Sequence, residues 1–225
     1  MGIRSILSKP LAKWIVYDQK KWALNPGKFQ SNLFRKLIKS GSKTQFGRDH
    51  QFDEIQNHTD FTQRVPIRDY EELKPYINEI LKGKKDVLWP GLPAYLAKTS
   101  GTTSGVKYIP ITKDSIPNHI NSARNALLSY VNETGNSTFL DKKLIFLSGS
   151  PTLTYTSGIP TGRLSGIVNH LIPTYLKSNQ LPSYPTNCLE DWEQKVDQIV
   201  LETENKDLSL ISGIPPWVQM YFDKL

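Results

Sequence analysis

Residues 98–110 read K-T-S-G-T-T-S-G-V-K-Y-I-P, a run of small hydroxylated residues and glycines between two apolar segments. The flanking residues 95–98 and 107–112 have the composition of short strands. Glycine permits the positive φ of a tight turn, backbone N–H groups in such a turn can converge on an anion, and the hydroxyls add donors. The stretch predicts a phosphate-binding loop made of Ser100, Gly101, Thr102, Thr103, Ser104 and Gly105, with Lys107 as its cation.

This loop differs from the best-known nucleotide-binding motif. A Walker A motif has a lysine directly after its second glycine, followed by serine or threonine. Here Val106 follows Gly105. Ser100 and Ser104 also lack the G-x-S-x-G surroundings of a catalytic serine. The alternative interpretation of a run rich in Ser, Thr and Gly is a plain solvent-exposed turn.

Strand and helix patterns alternate from the loop onward. A helix is predicted from residue 112 or 114 to about residue 130, and another over 192–203. Residues 143–148 and 208–213 are predicted strands. Strands alternating with helices favour an α/β fold. Residues 150–165, rich in Thr, Ser, Gly and Pro, are predicted to form a long irregular loop.

The N-terminal part is predicted to be helical. Leu11, Trp14, Ile15 and Trp22 form a partial apolar stripe at helical spacing, interrupted by Pro10. A second helix follows the Asn25-Pro26-Gly27 turn, and its apolar positions are Phe29, Leu33, Phe34, Leu37 and Ile38.

The charge of the chain is concentrated at the N-terminus. Residues 1–50 carry 11 Lys and Arg against two acidic residues, a net charge of +9, whereas the whole chain has +7. Because the lysines are interleaved with core-like apolar residues and no regular aromatic platforms accompany them, a solvated helix face is expected, with no nucleic-acid and no membrane partner. A surface that attracts anionic nucleotides is the alternative.

Several other protein classes are excluded by the sequence. The longest apolar runs are too short to cross a membrane, and residues 1–14 lack the continuous apolar core of a signal peptide. Cys188 is the single cysteine, so a disulfide framework is excluded, and a cytoplasmic location is expected. The four histidines do not have metal-ligand spacing.

The sequence resembles the Gretchen Hagen family of auxin-responsive acyl-acid amido synthetases, in its bacterial branch, within the adenylate-forming superfamily that includes firefly luciferase. The resemblance begins with the loop and extends over most of the chain after about residue 44. The further motifs are T-Q-F-G-R-D-H (44–50), V-P-I-R-D-Y-E-E-L (65–73), D-V-L-W-P-G (86–91), G-R-L-S-G-I (162–167) and S-G-I-P-P-W (212–217).

The resemblance implies an activity and a set of partners. A small carboxylic acid would react with ATP to give an acyl-adenylate, and an amine or amino acid would then displace AMP. The loop would hold the β- and γ-phosphates. Arg124, on the helix after the loop, and Arg163, in the G-R-L-S-G segment, would bind the acyl substrate. A solvent-facing role is the alternative for Arg124, and a helix-opening turn is the alternative for the segment of Arg163.

Members of this family are about twice as long as this chain, and their later motifs for adenine, ribose and metal are missing here. We therefore expect residues 1–225 to form a single incomplete domain, the first part of a larger adenylate-forming enzyme. Mg²⁺ is an expected cofactor whose ligands lie outside these residues. The piece alone is expected to be inactive and to self-associate through exposed apolar surface. A non-catalytic nucleotide-binding module and a basic interaction module are the alternatives.

Overall fold

The fold is described here from a computed structural model, which describes residues 2–99 and 105–225. The chain divides into two compact units. The first, the parallel-sheet unit, consists of residues 2–18, 118–153 and 162–225. The second, the hairpin unit, consists of residues 19–117 and 154–161.

Among the described residues, five helices precede the first strand, and strands and helices are mixed after it, which confirms the predicted α/β class with a helical N-terminal segment. The helices are α1 (Ile3–Leu24), α2 (Pro26–Gly41), α3 (Gln45–Asp49), α4 (His58–Arg64), α5 (Tyr70–Leu81), α6 (Ile116–Thr134), α7 (Leu164–Leu171), α8 (Thr174–Lys177), α9 (Tyr184–Asn187), α10 (Trp192–Thr203) and α11 (Pro215–Lys224). The strands are β1 (Tyr95–Thr99), β2 (Lys107–Ile111), β3 (Lys143–Phe146), β4 (Thr154–Thr156), β5 (Ile159–Arg163), β6 (Gln180–Leu181) and β7 (Leu208–Ser212).

The hairpin unit is built around a sheet with the strand order β2-β1-β5-β4. Strands β1 and β2 are antiparallel, and Thr99 pairs with Lys107 at the end next to the loop. Helix α5 begins with a capping box in which Asp69 and Glu72 each accept a backbone N–H of the other. This capping box explains why α5 begins at Tyr70.

The parallel-sheet unit contains the strand order β6-β3-β7, in which β3 is parallel to both neighbours. Helices α10 and α11 cover this sheet. The rings of Trp192 in α10 and Trp217 in α11 stack with their centroids 4.1 Å apart. Thr203 Oγ1 of α10 and Tyr221 Oη of α11 form a hydrogen bond of 2.9 Å. The buried core between sheet and helices consists of Ile145, Leu147, Val196, Ile199 and Tyr221.

The predicted apolar stripe of α1 is wrong for most of its residues. The helix runs through Pro10 without interruption, and Leu11, Trp14 and Trp22 are exposed. Of the predicted stripe, Ile15 is buried. The face of α1 that packs on the protein consists of Ser5, Ser8, Ala12, Ile15 and Val16.

Helix α2 and the segment 150–165 also differ from the prediction. In α2, Phe29, Leu33 and Leu37 are exposed and Ile38 is buried. The predicted irregular loop contains the antiparallel pair β4 and β5. Ser157 and Gly158, both at positive φ, form the turn between these strands.

Candidate functional site

The predicted phosphate-binding loop connects β1 to β2. Ser100, Gly101, Thr102, Thr103 and Ser104 lie outside the described residues, so their predicted role stays a prediction. Gly105, the last residue of the loop, has φ +79°. A side chain at this φ is strained, and a Cβ added here would meet open space, so the backbone conformation is what requires glycine.

Lys107 is half-buried at the start of β2. Its Nζ lies 5.2 Å from the centroid of the Tyr70 ring, a cation–π distance. Tyr70, the first residue of α5, is itself held in place because its hydroxyl accepts the Tyr108 N–H at 2.8 Å. The lysine therefore lies beside the loop on a fixed aromatic surface. Sequence reasoning quoted Tyr70 within a motif and gave it no role.

A second lysine of the same motif lies on the other face of the hairpin. Lys98 pairs with Tyr108, one position from the Thr99 and Lys107 pair, and successive side chains of a strand point to opposite faces. Lys98 Nζ donates to Thr154 Oγ1 at 3.2 Å, which links β1 to β4. The two cations of the motif therefore have different surroundings, and Lys98 has a structural partner.

In the parallel-sheet unit, the chain leaves β3 at the carboxyl edge of the sheet, where ligands bind in open parallel sheets. The segment after β3, residues 147–153, packs closely on the start of α7. A Cβ on Gly166 would lie 2.3 Å from the Ser150 carbonyl oxygen, so only glycine allows this approach. Gly149 N–H donates to Ser165 Oγ at 3.2 Å.

Arg163 lies next to this segment. It is exposed at the junction of β5 and α7, and its Cδ is 3.0 Å from the position that a Cβ on Gly149 would take. Its guanidinium also contributes to lowering the pKa of Lys195. The structure thus brings Arg163 to the carboxyl edge of the sheet, where a positive charge is available to an anionic ligand.

Lys195 of α10 is fully buried beneath the same edge. Its Nζ donates to the Ser148 carbonyl at 2.9 Å and to the Asn187 carbonyl at 2.6 Å. Removal from water lowers the pKa of this ammonium to about 8, although Glu190 and Cys188 act to raise it. Lys195 joins the segment after β3 to the end of α9.

Sequence reasoning missed Lys195 and Asn187. Asn187 is buried, its Oδ1 accepts the Ser148 hydroxyl at 3.3 Å, and its Nδ2 lacks a partner among the described residues. The spacing carried a signal for the lysine, because Lys195 lies four residues before the core residue Ile199 and therefore on the same helix face.

Arg124 is placed differently from Arg163. Its side chain is exposed on α6, and its Nε and Nη2 donate to Oδ1 of the adjacent Asn125 at 3.1 and 2.9 Å. The buried residues of this helix are Leu128 and Val131. The position is compatible with the solvent-facing alternative, and its predicted substrate contact stays a prediction.

A comparison with known proteins identifies the sequence family. Residues 17–201 match the model of the GH3 family N-terminal domain. In Arabidopsis thaliana, the 4-substituted benzoates-glutamate ligase GH3.12 is 21% identical over 194 residues, which are 84% of this chain and 32% of that protein. The indole-3-acetic acid-amido synthetase GH3.10 of the same plant is 33% identical over 100 residues, which are 40% of this chain and 17% of that protein.

Solved structures agree in fold. The acyl acid amido synthetase AtGH3.15 in complex with 2,4-DB aligns with a TM-score of 0.74 at 16% identity, covering 94% of this chain and 38% of that one. A second GH3.15 structure aligns with a TM-score of 0.67 at 17% identity, covering 88% and 36%. The chain thus spans about a third of the length of relatives such as GH3.12. Because the family model covers most of the sequence, this chain belongs to the GH3 family and corresponds to its N-terminal domain.

Proposed function

We propose that this chain supplies the phosphate-binding and acid-binding part of an ATP-dependent acyl-acid amido synthetase. The observation that carries the proposal is the hairpin of β1 and β2. It combines a loop rich in Ser, Thr and Gly, a glycine at φ +79° and a half-buried lysine, in a chain of the GH3 family. By their names, GH3.12 is a ligase of 4-substituted benzoates and glutamate, and GH3.10 is an amido synthetase of indole-3-acetic acid.

The proposed reaction has two steps. A carboxylate oxygen attacks the α-phosphorus of ATP, the bond to the β-phosphate oxygen breaks, and pyrophosphate leaves. An amine then attacks the acyl carbon, AMP leaves with the electron pair of the acyl–oxygen bond, and the amine loses a proton. In the first step, loop N–H groups and Lys107 would stabilise the charge that accumulates on the leaving pyrophosphate.

Two arginines are proposed for the carboxylic acid. Arg163 is the stronger candidate because it lies at the carboxyl edge of the parallel sheet beside the segment after β3. Arg124 is the second candidate. Its guanidinium would have to give up its hydrogen bonds to Asn125 and donate to the substrate carboxylate instead. A charge-assisted hydrogen bond of this kind fixes the position of a carboxylate.

Mg²⁺ bound together with ATP would supply Lewis-acid stabilisation of the phosphate charge. Within residues 2–99 and 105–225, no group of three or more His, Cys, Asp or Glu side chains has an arrangement that would hold a metal ion. We therefore assign no metal ligand in this chain, and the steps above use the residues of the chain alone.

The first test is pyrophosphate binding by the 225-residue chain, measured by calorimetry. Gly105→Val and Lys107→Ala are expected to weaken binding about tenfold or more, because each removes a feature needed for anion binding. Gly135→Val is the control for strain at a positive-φ glycine, since Gly135 has φ +71° outside the hairpin. Lys113→Ala is the control for lost charge. Equal affinity in all four variants would rule out the phosphate role.

The second test is acid-dependent exchange of pyrophosphate into ATP by residues 1–225. We expect no exchange, because correct positioning supplies roughly 7–11 kcal/mol of such a barrier and the adenine and ribose contacts are expected outside these residues. Clear exchange would show that the nucleotide site is complete here. If a longer polypeptide that contains these residues also binds pyrophosphate without catalysing exchange, the non-catalytic alternative is favoured.

The third test separates the two arginines in an active polypeptide that contains these residues. Arg163→Ala is expected to raise the KM for the carboxylic acid roughly 10- to 150-fold and to leave the KM for ATP unchanged. Arg124→Ala serves as the matched comparison. If the KM for the acid moves with Arg124→Ala and not with Arg163→Ala, the order of the two candidates is reversed.

A further inference from the structure

Helix α1 exposes large apolar side chains along one side. Ile3 is 76% exposed, Leu7 63% and Trp14 61%. These positions are spaced by four and seven residues, so they lie on one side of the helix. We call them the α1 stripe. The opposite side of the helix, which packs on the protein, is the one formed by Ser5, Ser8 and Ala12.

A basic ridge borders the α1 stripe. Lys9 and Lys13 are exposed and four residues apart, so their side chains lie one above the other between the buried side and the stripe. Helix α1 therefore has a buried side of small residues with Ile15 and Val16, a lysine ridge beside which Ile6 and Tyr17 are also exposed, and an exposed apolar stripe that includes a tryptophan.

We propose that α1 binds to an anionic membrane surface, lying in the plane of the interface with the α1 stripe inserted among the headgroups. Helices that bind in this way have aromatic and aliphatic residues on one face and lysines beside them. The lysines are attracted by anionic lipid headgroups, and Trp14 combines an apolar ring with an N–H group that suits the interface.

The residues of this surface favour a membrane over a protein partner. Lysine is depleted in protein–protein interfaces, and the ridge of Lys9 and Lys13 directly adjoins the stripe. The stripe also precedes residue 17, where the match to the family model begins.

The proposal replaces the expectation from sequence that no membrane partner is involved. That expectation rested on placing Trp14 in an apolar core, and the structure exposes it. A surface contact does not require a spanning segment, and no helix among the described residues is long and apolar enough to span a bilayer.

The test is co-sedimentation of the 225-residue chain with vesicles. We expect binding to vesicles of phosphatidylcholine mixed with phosphatidylglycerol, weak binding to phosphatidylcholine alone, and release by added salt. Leu7→Glu combined with Trp14→Glu is expected to weaken binding about 100-fold or more, because it removes the inserted groups and adds repulsion. Lys9→Glu combined with Lys13→Glu is expected to weaken it about 30-fold or more.

Matched controls separate this surface from general changes in charge. Leu201→Glu combined with Phe222→Glu adds the same two negative charges at apolar residues outside α1 that are 61% and 57% exposed. Lys113→Glu combined with Lys206→Glu gives the same net charge as the double change in the ridge, at exposed lysines outside α1. These variants are expected to retain binding within about threefold, since they leave α1 unchanged. Circular dichroism checks that every variant is folded.

Three results would overturn the proposal. The first is no binding to anionic vesicles by the unchanged chain. The second is equal loss of binding in the α1 variants and their controls, which would indicate attraction by net charge alone. The third is a concentration-dependent dimer, detected by sedimentation velocity, that Leu7→Glu with Trp14→Glu abolishes while vesicle binding stays unchanged. That result would assign the stripe to a second copy of the chain.

Discussion

Helix α10 and residues 3–18 of α1 both belong to the parallel-sheet unit, yet the two helices bury different sets of residues. Helix α10, which the sequence predicts over 192–203, places Val196 and Ile199 in the core. Helix α1 buries Ser5, Ser8 and Ala12 together with Ile15 and Val16, and it leaves Ile3, Leu7 and Trp14 mostly in solvent. The difference teaches that helical spacing identifies a possible apolar stripe but does not determine which side of the helix packs.

The contacts of α1 explain which side of the helix is buried. Ser5 Oγ and Ser137 Oγ are 2.6 Å apart in a buried hydrogen bond, a separation that requires close approach of the helix. Asp141 accepts the N–H groups of Gly2 at 2.6 Å and Ser5 at 3.3 Å, which satisfies the free donors of the first turn. Small residues allow this approach, whereas a side of Leu and Trp would prevent it.

The largest expected effect is on the free energy of unfolding, when one residue of α10 and one of α1 are each changed to alanine. Ile199→Ala should lower the free energy of unfolding by about 2–5 kcal/mol, because it leaves a cavity at a fully buried position. Trp14→Ala should change it by no more than about 0.5 kcal/mol, because the larger side chain is already mostly in solvent. Both changes in the free energy of unfolding would be measured by urea unfolding of the 225-residue chain and its variants.

An opposite result would break the comparison. A loss of about 3–5 kcal/mol for Trp14→Ala is the cost expected for a buried tryptophan, and it would restore the apolar stripe predicted from sequence. Leu201→Ala is the control, since Leu201 is an exposed apolar residue of α10 and should behave as Trp14 does.

Local patterns predicted the parts of the fold that depend on neighbours in sequence. The strands β1 and β2 and the helix α10 were predicted in this way. The buried side of α1 depends on Ser137 and Asp141, more than 130 residues away. Such partners are not visible in a local pattern. The turn of Ser157 and Gly158 did carry a local signal, because the pair S-G is typical of turns.

The candidate sites also contain features that depend on neighbours in sequence and features that depend on distant residues. The positive φ of Gly105 follows from local chemistry and was predicted. The burial of Lys195 depends on two carbonyl groups, of Ser148 and Asn187, that come from separate segments. An isolated lysine in a helix normally reads as an exposed residue, so spacing alone was the available signal.

The second prediction concerns Lys195, because it is a charged residue on the buried side of α10. Lys195→Met should lower the free energy of unfolding by about 1–3 kcal/mol near pH 7. The change leaves two carbonyl groups without donors, and it also removes the cost of burying a charge, which limits the loss. Lys206→Met, at an exposed lysine after α10, is the control and should have little effect.

The pH dependence of this variant has a defined sign. The pKa of Lys195 is about 8 in the folded chain, against 10.5 as its ordinary value, so the unfolded state binds the proton more tightly. The stability that Lys195 contributes therefore rises as the pH increases from 8 towards 10.5. Between about pH 7 and about pH 9.5, the deficit of Lys195→Met relative to the unchanged chain should grow by about 2 kcal/mol. A constant deficit would show that burial does not perturb this ammonium.

The smallest expected effect concerns how each helix begins. Asp191 caps α10 from the adjacent residue, accepting the Gln194 N–H at 2.9 Å, whereas α1 is capped by the distant Asp141. Either change to Ala should cost about 1 kcal/mol, because each removes one N-terminal cap. Asp141→Ala should also speed amide hydrogen exchange in the first turns of α1, while Asp191→Ala should leave α1 unchanged. Unaltered exchange in Asp141→Ala would mean that the packing of Ser5 and Ala12 alone holds α1 in place.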